Sequence, residues 1–260
     1  MITIGMASYG NPNQLWFTIQ SLRIYQDVKD CEILVIDNQK NNEIKKVAND
    51  CQVRYELDNK RIGPAYAKGM LFHYAKNPFV LVLDSHVLLY PNAIKELKNW
   101  LNNNWDRAIN LIHGPLVVSS LKNAHTHYND VWRGHSWGTW SKAVKPELIT
   151  EETEIQMMGT GLFGCRKDSW LGFHEKTEGF GGHEGVIHEK YRKNGRKVIS
   201  LPFLKWVHKF GRSGNFPLKL EDRIKNYLLG FKEIDLDPKP IYDHFGKEKV
   251  KKVETKIRRG

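Results

Sequence analysis

Apolar and polar positions in the first third of the chain alternate between strand-like and helix-like patterns. Apolar runs at 1–6, 31–36 and 79–83 predict strands, and the last of these is apolar enough to be buried on both faces. Asn11 and Pro12 predict the start of a helix that reaches about Tyr25. Strands that alternate with helices are typical of an α/β fold with a mostly parallel central sheet flanked by helices.

The same patterns predict further elements up to residue 120, and they weaken beyond it. We expect helices at 42–50, 63–74 and 90–101, and strands at 52–57 and 111–120. Residues 125–145 are rich in tryptophan and histidine and predict a loop-rich surface or lid. No internal repeat or low-complexity linker marks a domain boundary.

Polar residues follow three of the predicted strands at the point where each ends. Ser8, Asp37 and the Asp84-Ser85-His86 segment occupy these positions. In an open α/β sheet, ligands bind beyond the carboxyl ends of the strands. These side chains are therefore expected to meet in one crevice.

A carboxylate and an imidazole close together indicate a site for a divalent cation. Asp84 and His86 are two residues apart, so a turn after the strand can direct both at one ion. His208, in another strand-like segment, is a candidate third ligand. Taken singly, Asp84 also fits a strand-end cap and His208 a hydrogen-bonded core histidine.

Two glycine-rich segments in the second half are candidates for close contact with a ligand. Gly181 and Gly182 precede His183 and Glu184, where a helix is predicted to begin. Glu184 is either a general base for an attacking hydroxyl or a residue that complements the helix dipole. The segment 157–164, which contains Gly161, also fits a tightly packed strand.

The composition indicates a globular protein with a strongly basic surface. Of the 260 residues, 40% are hydrophobic, and no window approaches the roughly 18 apolar residues of a membrane span. Three widely spaced cysteines indicate neither disulfides nor a zinc site, which favours the cytoplasm. The net charge of +11 favours a polyanionic partner. Residues 247–260 contain seven basic and two acidic side chains, which fit a solvated tail or a phosphate-binding segment.

Together these segments resemble the GT-A glycosyltransferases, most closely the polypeptide N-acetylgalactosaminyltransferases and related family-2 enzymes. The resemblance covers the chain to about Arg212, and its landmarks lie at 61–69, 79–86, 159–163, 180–184 with Gly195, and 207–212. It implies a GT-A (nucleotide-diphospho-sugar transferase) fold. The implied catalytic domain spans 1–215, with a nucleotide-binding half at about 1–120 and an acceptor half at about 121–215. Residues 216–260 would form a basic C-terminal extension, without the lectin domain or membrane anchor of the animal enzymes.

The resemblance also assigns roles to individual residues. It implies that Asp84, His86 and His208 bind Mn²⁺ or Mg²⁺, which holds the diphosphate of a UDP-sugar donor. Contacts to this nucleotide sugar are implied for Ser8, Asp37, Arg61, Gly63, Ser85, Gly161 and Gly182. In this family Asp37 suits a base N–H and Arg61 suits ribose or phosphate.

One departure from the family leaves the stereochemistry open. His183 and Glu184 stand where the acetylgalactosaminyltransferases have Glu-Asn, and inverting family-2 enzymes more often have Glu-Asp there. Glu184, with His183 beside it, occupies the place of the inverting general base. The segments 84–86 and 207–212 resemble the retaining group instead.

The sequence supports one leading function and two alternatives. The leading hypothesis is transfer of a sugar from a UDP-sugar to an acceptor hydroxyl, with a hydroxymethylated base in DNA as one acceptor hypothesis. A cell-surface glycan, a lipid or a protein is the alternative acceptor. An alternative of another class is a non-catalytic nucleic-acid-binding protein, whose aromatic residues stack on bases. The sequence specifies neither the sugar nor the oligomeric state.

Overall fold

The three apolar runs at the start of the chain form neighbouring strands, which confirms the predicted α/β class. A computed structural model describes residues 1–209 and 216–259. The boundary predicted after residue 215 and the landmark residues 210–212 lie outside the described residues.

Fourteen strands and eight α-helices follow one another along the described chain. The strands are β1 (Ile2–Ser8), β2 (Glu32–Asp37), β3 (Arg54–Leu57), β4 (Phe79–Asp84), β5 (Val87–Leu89), β6 (Leu111–His113), β7 (Leu116–Val117), β8 (Ala124–His125), β9 (Tyr128–Arg133), β10 (Ser136–Trp140), β11 (Thr153–Glu154), β12 (Leu162–Arg166), β13 (Val198–Ser200) and β14 (Trp206–His208). The helices are α1 (Pro12–Tyr25), α2 (Asn42–Asp50), α3 (Pro64–Tyr74), α4 (Ala93–Asn104), α5 (Glu184–Lys193), α6 (Leu220–Glu233), α7 (Lys239–Phe245) and α8 (Lys247–Arg259).

The main sheet brings three polar strand ends to one edge. Its eight strands have the order β11-β13-β6-β12-β4-β1-β2-β3, and β3, β2, β1 and β4 are parallel. The register pairs Ala7 with Asp84 and Ser8 with Asp37. β12 is antiparallel to β4, so Leu162 pairs with Leu83 beside Asp84. The three polar strand ends therefore lie beside one another at this edge.

A second, four-stranded sheet brings the two candidate histidine ligands together. Its order is β5-β14-β7-β8, and β14 is antiparallel to β5 with His208 opposite Val87. His86 immediately precedes β5, and its carbonyl accepts a hydrogen bond from the Lys209 N–H. The pairing of these two strands therefore brings two histidines, 122 residues apart in sequence, next to each other.

Local sequence explains the two helices that flank the polar edge. α1 begins at Pro12, and the Asn11 side chain caps it by accepting a hydrogen bond from the Gln14 N–H. α3 begins after Gly63, where a Cβ would lie 2.7 Å from the Gly179 carbonyl oxygen. That close approach excludes any larger residue at position 63.

The prediction of one strand at 111–120 is wrong, because the chain changes sheets there. β6 belongs to the main sheet and β7 to the second sheet, with Gly114 and Pro115 between them. Pro115 has no N–H for a ladder, and its carbonyl accepts from the Trp206 N–H. At Gly114 a Cβ would lie 1.9 Å from the Leu204 carbonyl oxygen.

The loop or lid predicted at 125–145 is instead largely a β-hairpin. β9 and β10 pair antiparallel, with Trp132 opposite Trp137, and Gly134 at the turn has φ +59°. The rings of Trp132 and Trp137 stack across the two strands, with their centroids 5.6 Å apart.

The C-terminal helices share a core with this hairpin. α6 packs against α5, α7 and α8, and the buried cluster contains Trp137, Val186, Tyr227 and Val250. Residues 247–259, for which a solvated tail and a phosphate-binding segment were both considered, form α8. Among the described residues, no helix has the length and apolar character needed to cross a bilayer.

Candidate functional site

The three predicted metal ligands meet at the carboxyl end of β4. Their ligand atoms all lie within 4.8 Å of one another. The Nε2 atoms of His86 and His208 are 3.0 Å apart, and the Asp84 Oδ2 atom lies 3.4 Å from His208 Nε2 and 4.0 Å from His86 Nε2. Adjacent ligands of an octahedral ion with bonds of about 2.1 Å are about 3 Å apart. One imidazole pair already has this spacing, and the carboxylate needs only a small movement to reach it.

The donor set fits a divalent cation of intermediate hardness. Two imidazole nitrogens and one carboxylate oxygen suit Mn²⁺ better than an all-oxygen ion such as Ca²⁺. A set of three ligands on one side leaves coordination positions for oxygens of a bound molecule. The residues therefore fit an ion that is shared between the protein and a ligand.

The second oxygen of Asp84 is held by a lysine that the sequence analysis missed. The Lys68 Nζ atom lies 2.7 Å from Asp84 Oδ1 and donates to the Thr160 carbonyl oxygen at 2.8 Å. Burial alone would raise the pKa of Asp84, but Lys68 and the two histidines outweigh it and hold that pKa well below its ordinary value. Asp84 is therefore a carboxylate at neutral pH.

A cavity of about 340 Å³ lies over these residues. Ser8, Ser85 and Gly161 line it, as predicted. The Ser8 hydroxyl is buried and has no hydrogen-bond partner among the described protein groups, which leaves it to a ligand. At Gly161 a Cβ would lie 2.8 Å from the Trp206 ring and 3.2 Å from Asp84 Oδ2, so the wall can approach the carboxylate only because this residue is glycine.

Asp37 is not among the residues that line the cavity, and its contact with a base N–H stays a prediction. It is fully buried. One of its oxygens accepts from the Gln39 and Lys40 N–H groups, and the other accepts from the Asn41 N–H and the Tyr55 hydroxyl. These four bonds use the acceptor capacity of a carboxylate. Asp37 therefore shapes the turn after β2.

Arg61 and Gly63 also lie outside the cavity lining, where a neighbouring asparagine fixes their backbone. Asn38, which does line the cavity, donates to the carbonyls of Asp58 and Arg61 and accepts from the Gly63 N–H. The Arg61 side chain is exposed. Asn38 is thus the residue by which this loop is positioned at the cavity.

Glu184 and His183 both line the cavity, on the side of α5. Glu184 is the first residue of that helix and is partly exposed. Burial would raise its pKa, but His183, its own backbone N–H, Lys68 and Arg223 lower it below the ordinary value. Glu184 is therefore ionised at neutral pH and can accept a proton.

His183 is a buried neighbour of Glu184. Its Nε2 atom lies 3.3 Å from the Thr160 hydroxyl and 3.5 Å from Glu184 Oε1. Burial lowers its pKa in spite of the Glu184 charge. This geometry makes His183 a residue that positions Glu184 and Thr160.

Gly182 lies behind the cavity wall, where it packs against α6. Its φ is +78°, and a Cβ there would lie 2.4 Å from the Arg223 carbonyl oxygen. The segment is held by Asn226, which the sequence analysis also missed. The Asn226 side chain donates to the carbonyls of Glu178 and Gly181, and it accepts from the Glu178 N–H.

We expect Asn226→Ala to destabilise the protein by about 3 kcal/mol, because it removes a buried side chain and its hydrogen bonds to three backbone groups. For a chain of this size the melting temperature should fall by roughly 8 °C, measured by differential scanning calorimetry. Asn102→Ala, at an exposed position of α4, is the control and should leave the melting temperature unchanged. Equal melting temperatures for the two variants would show that α6 does not hold the 178–182 segment.

Aromatic side chains form part of the cavity lining, and we call this part the aromatic mouth. Tyr128, Trp137 and Trp140 come from the hairpin, and Phe180 and Phe216 come from other segments of the chain. Trp140 is 38% exposed. Burial, together with the charges of Glu184 and Asp84, raises the pKa of Tyr128, which therefore stays a neutral hydroxyl donor.

Comparisons with known proteins identify the family and the fold of the chain. A family model described as Glycosyl transferase family 2 matches residues 3–164. No curated protein sequence matches the chain. A solved structure of GalNAc-T7 with UDP, GalNAc and Mn²⁺ is similar at a TM-score of 0.68 and 15% identity, over 89% of this chain and 47% of that one. The mannosyltransferase PcManGT from Pyrobaculum calidifontis, in complex with GDP-Man and Mn²⁺, has a TM-score of 0.59 and 13% identity, over 100% of this chain and 75% of that one.

These likenesses establish the GT-A fold that the sequence predicted. The chain spans about half the length of the GalNAc-T7 chain that it matches. The matched family segment ends within β12, so it contains Asp84 and His86 but neither Glu184 nor His208. Those two residues enter the site through the three-dimensional structure.

Proposed function

The chain belongs to glycosyl transferase family 2, and we propose that it moves a sugar from a UDP-sugar to an acceptor hydroxyl with the help of Mn²⁺ or Mg²⁺. The observation that carries this proposal is the cluster of Asp84, His86 and His208 in the wall of the cavity. GalNAc-T7 was solved with UDP and Mn²⁺, and PcManGT with GDP-Man and Mn²⁺. The same donor chemistry fits the three ligands of this chain.

The metal ligands and Lys68 would act together on the donor diphosphate. A bound Mn²⁺ or Mg²⁺ would neutralise charge on the departing nucleotide as a Lewis acid. Asp84 and the two histidines would hold that ion at the end of β4. Lys68 is buried against Asp84, so its charge would act on the same diphosphate with little screening by water.

The nucleoside would lie toward β1 and the loop after β2. Ser8, Tyr9 and Asn38 line this end of the cavity. The Ser8 hydroxyl offers a buried hydrogen-bonding group, and the Tyr9 ring packs at 4.6 Å from the Phe216 ring. An aromatic pair of this kind can cover the flat face of a base.

The acceptor would enter at the aromatic mouth, with its hydroxyl directed at Glu184. Trp140 and Phe180 offer flat apolar surfaces there, and Arg223 adds a positive charge. We propose a hydroxymethylated base in DNA as the acceptor, because aromatic side chains stack on a base that has left its duplex. The net charge of +11 and the exposed lysines of α8 would attract the phosphate backbone.

The proposal is tested by incubating the purified chain with UDP-sugars, and with GDP-mannose as a comparison donor, in the presence of Mn²⁺. The acceptors are hydroxymethylated DNA, plain DNA, a serine- and threonine-containing peptide and a lipid-linked glycan. We expect release of UDP and incorporation of sugar into hydroxymethylated DNA alone. Removal of the metal with EDTA should abolish both.

Each outcome addresses one part of the proposal. Transfer that is unaffected by EDTA would overturn the metal dependence. Use of GDP-mannose in preference to every UDP-sugar would overturn the choice of donor. Transfer to the peptide or the glycan but not to DNA would overturn the acceptor and leave the donor chemistry in place.

A further inference from the structure

The only carboxylate among the three candidate metal ligands is already paired with a buried cation. Lys68 is 4% exposed, and its Nζ atom lies 2.7 Å from Asp84 Oδ1, while Asp84 Oδ2 faces His208 and His86. The ligand set and its lysine therefore have a formal charge of zero when the imidazoles are neutral. The other buried residues of α3 are apolar, so Lys68 is the one charged side chain on the buried face of this helix.

This arrangement places two cations, with three positive charges between them, on one carboxylate whenever a divalent cation binds at Oδ2. The ammonium and the cation repel each other at short range, in a wall that excludes much of the water. The other lining residues do little to reduce this repulsion. Among the side chains that line the cavity, the positive charges of Lys68 and Arg223 balance the negative charges of Asp84 and Glu184. A nucleotide diphosphate supplies the additional negative charge that is needed to neutralise both cations.

We infer that Lys68 makes the divalent cation and the nucleotide diphosphate enter this site together. The inference rests on the proposed function, since it concerns the same metal and donor. Lys68 weakens binding of the cation alone, and it strengthens binding of the diphosphate alone. A bound UDP relieves the first effect, so the two ligands bind with positive coupling.

The alternative is a lysine that only supports the fold by donating to the Thr160 carbonyl oxygen. Loss of such a support would loosen the wall and weaken both ligands. The charge mechanism predicts effects of opposite sign on the two ligands. This difference in sign separates the two explanations.

The test compares Lys68→Gln, which keeps an N–H donor but no charge, with Lys68→Arg, which keeps the charge. We expect Lys68→Gln to bind Mn²⁺ alone about tenfold more tightly than the wild type, followed by electron paramagnetic resonance. The same variant should bind UDP in EDTA about tenfold more weakly, measured by calorimetry. Lys68→Arg should stay close to the wild type in both.

Lys190→Gln is the matched control, because Lys190 also donates to a carbonyl and pairs with a carboxylate, at Gly172 and Glu233. It does not line the cavity and should change neither affinity. If Lys68→Gln weakens both ligands, the inference is overturned in favour of a supporting role. If it leaves Mn²⁺ binding unchanged, the inference is also overturned.

The wild type provides a test that does not depend on folding of a variant. Its affinity for Mn²⁺ should rise at least about tenfold when UDP is saturating. Equal affinity with and without UDP would overturn both the coupling and the sharing of the ion with a donor diphosphate. A rise in Lys68→Gln that equals the rise in the wild type would overturn the role of Lys68 alone and leave the proposed function intact. Absence of Mn²⁺ binding in both conditions would overturn the metal site itself, and with it the proposed function.

Discussion

Asp84→Asn should reduce sugar transfer about a thousandfold, which corresponds to about 4 kcal/mol of transition-state stabilisation. Asparagine has nearly the same shape as aspartate, but it brings no charge to a cation beside His86 and His208. It also leaves the Lys68 ammonium buried without a counter-charge. The measurement is the rate of UDP release at saturating donor, with Mn²⁺ varied from micromolar to millimolar concentration.

Asp168→Asn is the control for this variant. Asp168 is also paired with a cation, Arg166, but this pair lies at the opposite end of β12, where Arg166 faces Phe79 at the start of β4. We expect its rate and Mn²⁺ requirement to equal those of the wild type. A rate for Asp84→Asn within tenfold of that control would show that the β4 carboxylate is not a ligand of the catalytic metal.

The strand ends were predictable because they follow from a local pattern and a general rule. A continuous apolar run such as 79–83 identifies a buried strand, and its first polar residue must stand at the end of it. The structure accordingly brings Ser8, Ser85 and Asp84 to one cavity. His208 was identified in the same way, although its pairing with His86 depends on the second sheet, which no local pattern predicts.

The residues that the sequence analysis missed act through contacts between distant parts of the chain. Lys68 reaches Thr160 across 92 residues, and Asn226 reaches Gly181 across 45. One local signal was present for Lys68, since it stands among the apolar residues of α3 between Ala67 and Leu71. A lysine on the buried face of a helix must find a partner, but the pattern does not name it.

Asp37 shows that a local pattern can predict the position of a side chain without predicting its hydrogen bonds. It ends β2 beside Ser8, as expected. The backbone N–H groups of the next turn donate hydrogen bonds to its carboxylate. Asp and Asn often bond to the backbone just after themselves, so the signal for this role was present in the residue type.

Glu184→Gln should lower the rate of transfer by about 10² to 10⁴ with little change in the KM for the donor, if Glu184 is the general base. Glutamine preserves the shape at the start of α5, and it cannot accept the proton of the acceptor hydroxyl.

Because the pKa of Glu184 is lowered below 4.5, the carboxylate is ionised throughout the neutral range. The wild-type rate should therefore show no loss from protonation of Glu184 until the pH falls below about 4.5. The measurement is kcat and KM as a function of pH, with Glu189→Gln on the outer side of α5, paired with Arg192, as the control.

The anomeric configuration of the product, determined by NMR, completes this test. A general base opposite the leaving group produces inversion, because the hydroxyl attacks from the face that the diphosphate does not occupy. Glu184 and the metal ligands line the same cavity from different elements, α5 against β4 and β14. An inverted product together with a large loss in Glu184→Gln would establish the base. A retained product, or a variant as fast as Glu189→Gln, would show that Glu184 binds the acceptor without accepting its proton.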